Sequence, residues 1–448
     1  MFEVLGLMIS AFELPFGFVA SHTSTFRNSI QQMQIREILC VFAQPLRSLR
    51  EIISSVNERE LFLKHIAQTS PSPLAFEIAK AEGCLLYDVK GKEYIDLIGG
   101  ISVANIGHRH PSVIEAIKKQ LDAYMHVMVY GEFIESPQVQ YAKLLTDHLP
   151  SSLNSVYFTN SGAEAIEGTM KLAKRITNRT QIIAFKNSYH GSTQGALSII
   201  GNEYWRNAFR PLLPDILHLE YNSFESLDEI SERTACVIAE TVQAEAGIIV
   251  PSNEWMQALR KKCTETGTLL ILDEIQAGFG RTGKLWGFEN FEIVPDVLIL
   301  GKALGGSMPL GAFIADKKLM NAFTENPILG HITTFGGHPV CCASGMAAMK
   351  VLVGEKIVNS VKAKEALFGS VLVHKKIKSI HSFGLWTAIE FDSFEINKKI
   401  INACIESGIM TDWFLFASQS LRISPPLIIS EGQIKKACKI ILQACDTL

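Results

Sequence analysis

Two short apolar runs, each ending in chemistry, constrain this 448-residue chain more than any other feature. Leu269, Leu270, Ile271 and Leu272 lead straight into Asp273 and Glu274, with Gln276 close behind. Val297 to Leu300 lead into Gly301, Lys302 and a further pair of glycines, Gly305 and Gly306. Four apolar residues bounded by charge and glycine have the length of a strand buried on both faces. Strands of that kind belong to parallel sheets covered by helices, which bind ligands outside their carboxyl ends. One strand then delivers a carboxylate to that edge and another an amine, so an acid and a base can build one site.

The neighbouring chain keeps the same alternation. Strands are expected at Ser155–Thr159, Gln181–Phe185 and 235–239, and helices at 111–124, 138–149 and Asn253–Thr266. Residues 86–97 read as a hairpin around turn chemistry at 88–91. Asn160 and Ser161 are N-cap candidates ahead of Gly162 and Ala163, and a helix start after a strand is either an anion site or simply a well-capped end. Tyr189, beside His190 and Gly191, could wall a flat ligand or pack internally. Thr333 and Thr334 precede two glycines and could bind an anion or cap the helix from Val340. From about Val351 helices mix with short strands, which reads as a separate α+β unit.

Other features exclude function classes. Gly278, Gly280 and Gly283 match the dinucleotide pattern G-x-G-x-x-G, but Asp273 to Ala277 separate it from its strand and no convincing helix follows. The same loop matches a P-loop up to Lys284, where Leu285 stands in place of the magnesium-binding hydroxyl. A net charge of −3 predicts no nucleic-acid surface. Nine cysteines, an odd number without C-x-x-C, point to the reducing cytoplasm. His108 and His110 lack a third ligand, so no metal site is expected. The apolar start is interrupted by Glu3 and Glu13 and has no basic region, so residues 1–57 are expected to be a poorly packed extension (or a product of an upstream start) rather than a signal or a membrane anchor.

The motifs from Leu270 to Gln276, 278–283, Leu300 to Ala303 and Thr333 to Gly337 together resemble the class III pyridoxal-phosphate aminotransferases, such as the acetylornithine, ornithine and 4-aminobutyrate enzymes. The resemblance runs from about Glu60 to the end. It implies the type I pyridoxal-phosphate transferase fold, an α/β architecture with a mainly parallel sheet in a large domain and a smaller α+β domain. The expected division is 58–108 packing with the small domain, 109–350 as the cofactor-binding domain and 351–448 as the small domain. It also implies a homodimer with shared active sites and pyridoxal 5'-phosphate as cofactor.

The resemblance assigns residues as well. Lys302 would hold the cofactor aldehyde as a Schiff base and move protons, and Asp273 would keep the ring nitrogen protonated. Gln276 matches the residue on the ring hydroxyl, Tyr189 the stacking aromatic, and Ser161, Gly162 and Ala163 the phosphate loop. Thr334 matches a threonine that reaches the neighbouring subunit's phosphate. Glu245 and Arg422 match a salt-bridged pair that opens to admit a substrate carboxylate, the alternative being a permanent structural pair. Ser192 stands where the three named activities place a carboxylate-gripping arginine, and Ile101 where the ornithine enzyme has a pocket tyrosine. Thr241 and Ala244 replace Pro and Gly in the Glu240 segment, a change for which sequence alone offers no physical reason. The implied reaction moves an amino group from an amino acid or ω-amine to an oxo acid, 2-oxoglutarate being expected. The alternatives are an aminomutase, racemase or decarboxylase on the same fold and, more remotely, a non-catalytic binding protein or a nicotinamide dehydrogenase.

Overall fold

The computed structural model describes residues 57–447, so the expected N-terminal extension, Asn57 apart, lies outside the described residues. Contacts divide the chain into one unit ending at Glu77 and another beginning at Ile78. In the first, Asn57 caps the helix Glu58–His65 by accepting the Arg59 N–H at 3.0 Å.

The second unit holds three sheets. It opens with a meander of β1 (Ile78–Glu82), β2 (Leu85–Asp88) and β3 (Glu93–Asp96). The central sheet follows, made of β4 (Ser155–Thr159), β5 (Gln181–Phe185), β6 (Ile216–Leu219), β7 (Thr234–Glu240), β8 (Leu269–Asp273), β9 (Val297–Leu300) and β10 (Gly311–Ala315). The last strands are β11 (Ser379–Ser382), β12 (Thr387–Glu390), β13 (Ile409–Met410) and β14 (Ser420–Ile423). The central order is β4-β10-β9-β8-β7-β5-β6, and every pair is parallel except the two made by β10. β13 crosses back to pair in parallel with β3, while β11, β12 and β14 form a small antiparallel sheet.

Burial explains the sequence pattern. β7, β9 and β10 are buried at every residue, and β8 at all but Leu269, so their apolar runs do not alternate. The helix Gly162–Thr177 turns Ile166, Met170 and Ala173 into the core, as its spacing predicts. The eight described cysteines are buried and free. No described helix is long and apolar enough to cross a membrane.

Local chemistry differs from expectation at several points. Ser161 alone caps the helix Gly162–Thr177, accepting the Glu164 N–H at 3.2 Å, while Asn160 sits one residue out and donates to the Glu164 carboxylate. The helix Pro339–Gly354 is capped by His338 Nδ1, not by a threonine hydroxyl, because Thr333 Oγ1 is occupied by the Gly336 N–H. One helical turn, Gly99–Ser102, forms between the hairpin and the helix expected at 111–124. Leu121 faces solvent, since its helix buries only a narrow stripe through Val113 and Gln120.

The glycine loop is a bracket. Gly280 and Gly283 take φ values of 87° and 89°, which free the chain to turn back on itself. Between them Arg281 is fully buried. Its Nη1 donates to the Leu385 and Pro425 carbonyls at 2.6 and 2.7 Å, and its Nη2 donates to Asn105 Oδ1 at 2.7 Å. Burial pulls its pKa down to about 9. Arg281→Met is expected to cost about 3 kcal/mol, because three buried acceptors each lose a donor worth about 1 kcal/mol. A denaturant midpoint unchanged to within about 0.5 kcal/mol would remove the bracket role.

Candidate active site

The carboxyl ends of β5, β7, β8 and β9 surround a cleft of about 270 Å³. Pairing sets its chemistry. Glu240, the last residue of β7, lies directly across from Asp273, the last residue of β8, and Asp273 lies across from Ile299 of β9. Two carboxylates therefore stand side by side at one edge, with Lys302 just past the end of the next strand. The backbone of Lys302 is left-handed, at φ 48°, which turns the chain sharply at the site.

Each acid is handled differently. Asp273 Oδ2 pairs with the buried His190 Nδ1 at 2.8 Å, and Oδ1 accepts the Ile275 N–H at 3.0 Å. Glu240 accepts the N–H groups of Tyr189 and Ala244, both at 2.9 Å. Burial first, and the Asp273 charge second, push the Glu240 carboxyl well above the usual carboxylate range. Glu274 turns away from the cleft and accepts from Gly287 N–H, Phe288 N–H and Thr241 Oγ1 at 2.7, 2.5 and 2.9 Å. Burial pushes its carboxyl up to about 7. Thr241 thus has a physical reason, since a proline there carries no hydroxyl to give Glu274.

Lys302 is half-buried and lines the cleft. Burial pulls its pKa down, against the opposing pull of Glu245 and Asp273. Among the described residues no side chain or carbonyl forms a hydrogen bond to its Nζ.

Gly162, Ala163, Tyr189, Ser192, Gln276 and Lys302 line the cleft with Asp273. Ser161 stands just behind as the helix cap. Tyr189 Oη and Ser192 Oγ are 3.2 Å apart. Gln276 Nε2 reaches Glu245 Oε1 at 3.2 Å, which joins the cleft to the Glu245–Arg422 pair. That pair is closed and bidentate, Nη1 to Oε1 at 3.0 Å and Nη2 to Oε2 at 2.8 Å. Burial opposes the charge on each partner, yet mutual attraction wins, lowering the Glu245 pKa and raising that of Arg422.

Two residues are not brought in. Ile101 lies on the helical turn Gly99–Ser102 with φ 62° and does not line the cleft. Thr334 is exposed and does not line it either. Conversely, His190 and Glu240 line it without having been singled out. Glu240 was legible as an acid at a strand end, like Asp273, while nothing local marks His190 as its partner. A more apolar cavity of about 190 Å³ lies between Val113, Ile117, Phe279 and Met349, with Arg109 and His110 as its ionisable lining groups. It holds no acid–amine pair, so the chemistry belongs to the first cleft.

Known proteins resemble this chain in sequence and in fold. An acetylornithine aminotransferase from Methanopyrus kandleri is 36% identical over 387 residues, 85% of this chain and 97% of that enzyme. A [LysW]-aminoadipate semialdehyde/glutamate semialdehyde transaminase from Sulfolobus acidocaldarius is 35% identical over 370 residues, 81% of this chain and 93% of that enzyme. An ornithine aminotransferase structure from Toxoplasma gondii superposes with a TM-score of 0.82 at 27% identity, covering 89% of this chain and 97% of that one. The family model "Aminotransferase class-III" matches residues 66–445, nearly all of the described chain. With an acid and a free lysine meeting at its sheet edge, this chain belongs to the class III aminotransferases, pyridoxal-phosphate-dependent enzymes of the type I fold.

Proposed function

We propose that this aminotransferase takes an amino group from an amino acid or ω-amine and passes it to 2-oxoglutarate, at a site completed by a second copy of the chain. The observation that carries the reading is the meeting of Lys302, Asp273 and the first turn of the helix Gly162–Thr177 in one cleft.

The cleft suits pyridoxal 5'-phosphate. The first-turn N–H groups of Gly162 and Ala163 have no acceptor within the helix, and a helix N-terminus favours phosphate. The cradle is tight: a Cβ on Gly162 would meet Ile275 Cδ1 at 2.4 Å, and one on Gly191 would meet Ala163 Cβ at 2.6 Å. The buried His190 Nε2 and Gln276 Oε1 have no partner, as expected of groups beside a ligand. When bound, the cofactor supplies an aldehyde that carries the amino group and a ring that withdraws electrons from the reacting carbon.

The protein's own groups divide the remaining work. With the cofactor bound, Asp273 would hold a proton on the ring nitrogen, and His190 fixes the orientation of Asp273. Gln276 would donate to the ring oxygen with the N–H not used on Glu245. Tyr189 would stand against the ring. Lys302 would hold the aldehyde, and its Nζ would move a proton at the reacting carbon, a task suited to an amine that burial pulls toward neutrality. Arg422 takes the acceptor's carboxylate when Glu245 gives way.

The second copy supplies Thr334. Its segment is apolar and exposed at Ile328, Leu329, Ile332 and Phe335, and Ile134 is 94% exposed. The His126 and Phe335 ring centroids are 4.7 Å apart, which brings the 126–134 and 328–335 stretches together, and adjoining exposed apolar side chains suit a contact with a second copy. Within the second unit, pairing of β3 with β13 supports a division in which the stretch from Ile78 to 108 packs with the small domain 351–448, leaving 109–350 as the cofactor domain. A reducing cytoplasm suits the free cysteines.

The test is a half-reaction screen. Holoenzyme is mixed with ω-amines, diamines, α-amino acids and β-amino acids, and loss of the bound cofactor's absorbance is followed before 2-oxoglutarate restores it. Isomerised product without any acceptor would replace the transfer reading. Ser192 leaves no fixed cation there, so donors with a distal carboxylate gain nothing at that wall. Ser192→Arg is expected to raise kcat/KM for 4-aminobutyrate over an uncharged amine of the same length by about tenfold, the value of one charged hydrogen bond.

A further inference from the structure

Arg422 is held by more than Glu245. Asp412 lies directly across from it, with the Arg422 N–H donating to the Asp412 carbonyl at 2.9 Å and Thr411 Oγ1 donating to the Arg422 carbonyl at 2.6 Å. Backbone pairing therefore fixes the two residues to one another. Asp412 Oδ1 stands 2.9 Å from Arg422 Nε. The approach is off the N–H axis, so both atoms are buried without an in-line hydrogen bond. Arg422 Nη2 also donates to the Trp413 carbonyl at 3.1 Å, and the Phe414 ring lies 4.4 Å beneath the guanidinium carbon.

The two acids approach from different places. Glu245 comes from the loop after β7 and occupies the Nη1–Nη2 fork, the end a substrate carboxylate would take. Asp412 follows β13 and occupies the Nε side, which a ligand in the fork leaves alone. Were Glu245 the sole counter-charge, its departure would strand a buried guanidinium, and the open form would be scarce.

We infer that Asp412 is a positioning residue for the acceptor, keeping Arg422 paired and aimed at the cleft when Glu245 gives way to an oxo acid's carboxylate. The inference rests on the reading of Arg422 as the group that takes the acceptor. A small turn of the guanidinium brings Nε into line with Asp412 Oδ1 and offers the fork to the incoming carboxylate. Burial pushes the Asp412 carboxyl up to about 6, which leaves it ionised at pH 7.5.

The test uses holoenzyme and follows each half-reaction separately by stopped flow, with an amine lacking a carboxylate as donor and 2-oxoglutarate as acceptor. Asp412→Asn is expected to raise the half-saturating 2-oxoglutarate concentration about tenfold while the donor half-reaction stays within about twofold. Equal effects on both halves, or none on the acceptor, overturn the inference. Asp412→Glu, which keeps the charge, serves where the Asn variant does not fold. Its acceptor affinity is expected to stay within about threefold of the parent, and a loss of about tenfold overturns the inference. Glu245→Gln separates the two readings, because removing the competing charge is expected to tighten acceptor binding. If it leaves the acceptor unchanged, the opening of the pair falls. If it tightens the acceptor while Asp412→Asn has no effect, only the role of Asp412 falls.

Discussion

Lys302→Ala is expected to reduce amino transfer by about 10⁴-fold, the upper range for loss of a positioned acid–base group, with the fold intact. Among the described residues it is the lysine that lines the cleft, and no other amine stands close enough to replace it. Its surroundings are built for a free amine. Enclosure disfavours the charged form, and no carbonyl or carboxylate is spent on binding its Nζ. Removing it leaves the phosphate cradle at Gly162 and Ala163 and the Asp273–His190 pair in place, so cofactor is still retained. Borohydride treatment followed by intact-mass measurement tests this directly. The parent protein gains the cofactor's mass on the peptide holding Lys302, and the Ala variant gains nothing. A variant that keeps more than about one part in a hundred of the parent turnover would end the proton-transfer assignment, which calls for at least about 10²-fold.

Asp273→Asn is the second large effect, a fall of about 10³-fold in kcat with donor affinity changed far less. The substitution keeps the shape and can still pair with His190, so stability is expected to hold. What it removes is the anion that favours a proton on the facing ring nitrogen. Glu240 does not replace it, although it stands directly across on the neighbouring strand. Its two oxygens are taken by backbone N–H groups, and burial together with the adjacent Asp273 charge favours its neutral form. The absorbance of bound cofactor as a function of pH separates this from a general weakening. Loss of the ring-nitrogen proton alters the spectrum of the Asn variant, whereas mere structural damage lowers occupancy with the spectrum unchanged.

Much of the architecture was legible because its signals are local. β8 and β9 are uninterrupted apolar runs, and burial on both faces demands that composition. The helix Asn253–Thr266 begins after a serine cap and ends at a left-handed glycine, Gly267, so both bounds could be read from residue type. Asp273 and Lys302 stood out because each lies at the end of such a run. Glu240 also ends such a run, but its place beside Asp273, like the meaning of His190 and Asp412, depends on which strand lies beside which, and pairing register is not written in any one segment. The two threonines at 333 and 334 misled for a related reason. A histidine ring that reaches a backbone N–H serves as a cap just as well, and His338 is nearer to the helix it starts.

The adjacent acids Asp273 and Glu274 also bear on folding fidelity. Successive residues of a strand face opposite ways, so a slip of one position would bring Glu274 into the place of Asp273 in the cleft and Ile275 into the place of Glu274. Neither composition nor hydropathy would register the error. The donors gathered around Glu274, from Gly287, Phe288 and Thr241, are what make the slipped pairing costly, because the isoleucine that would arrive there has no oxygen to accept from any of the three. The acid that never meets substrate thus proofreads the placement of the one that does, and any attempt to transplant this site onto another sheet has to carry both.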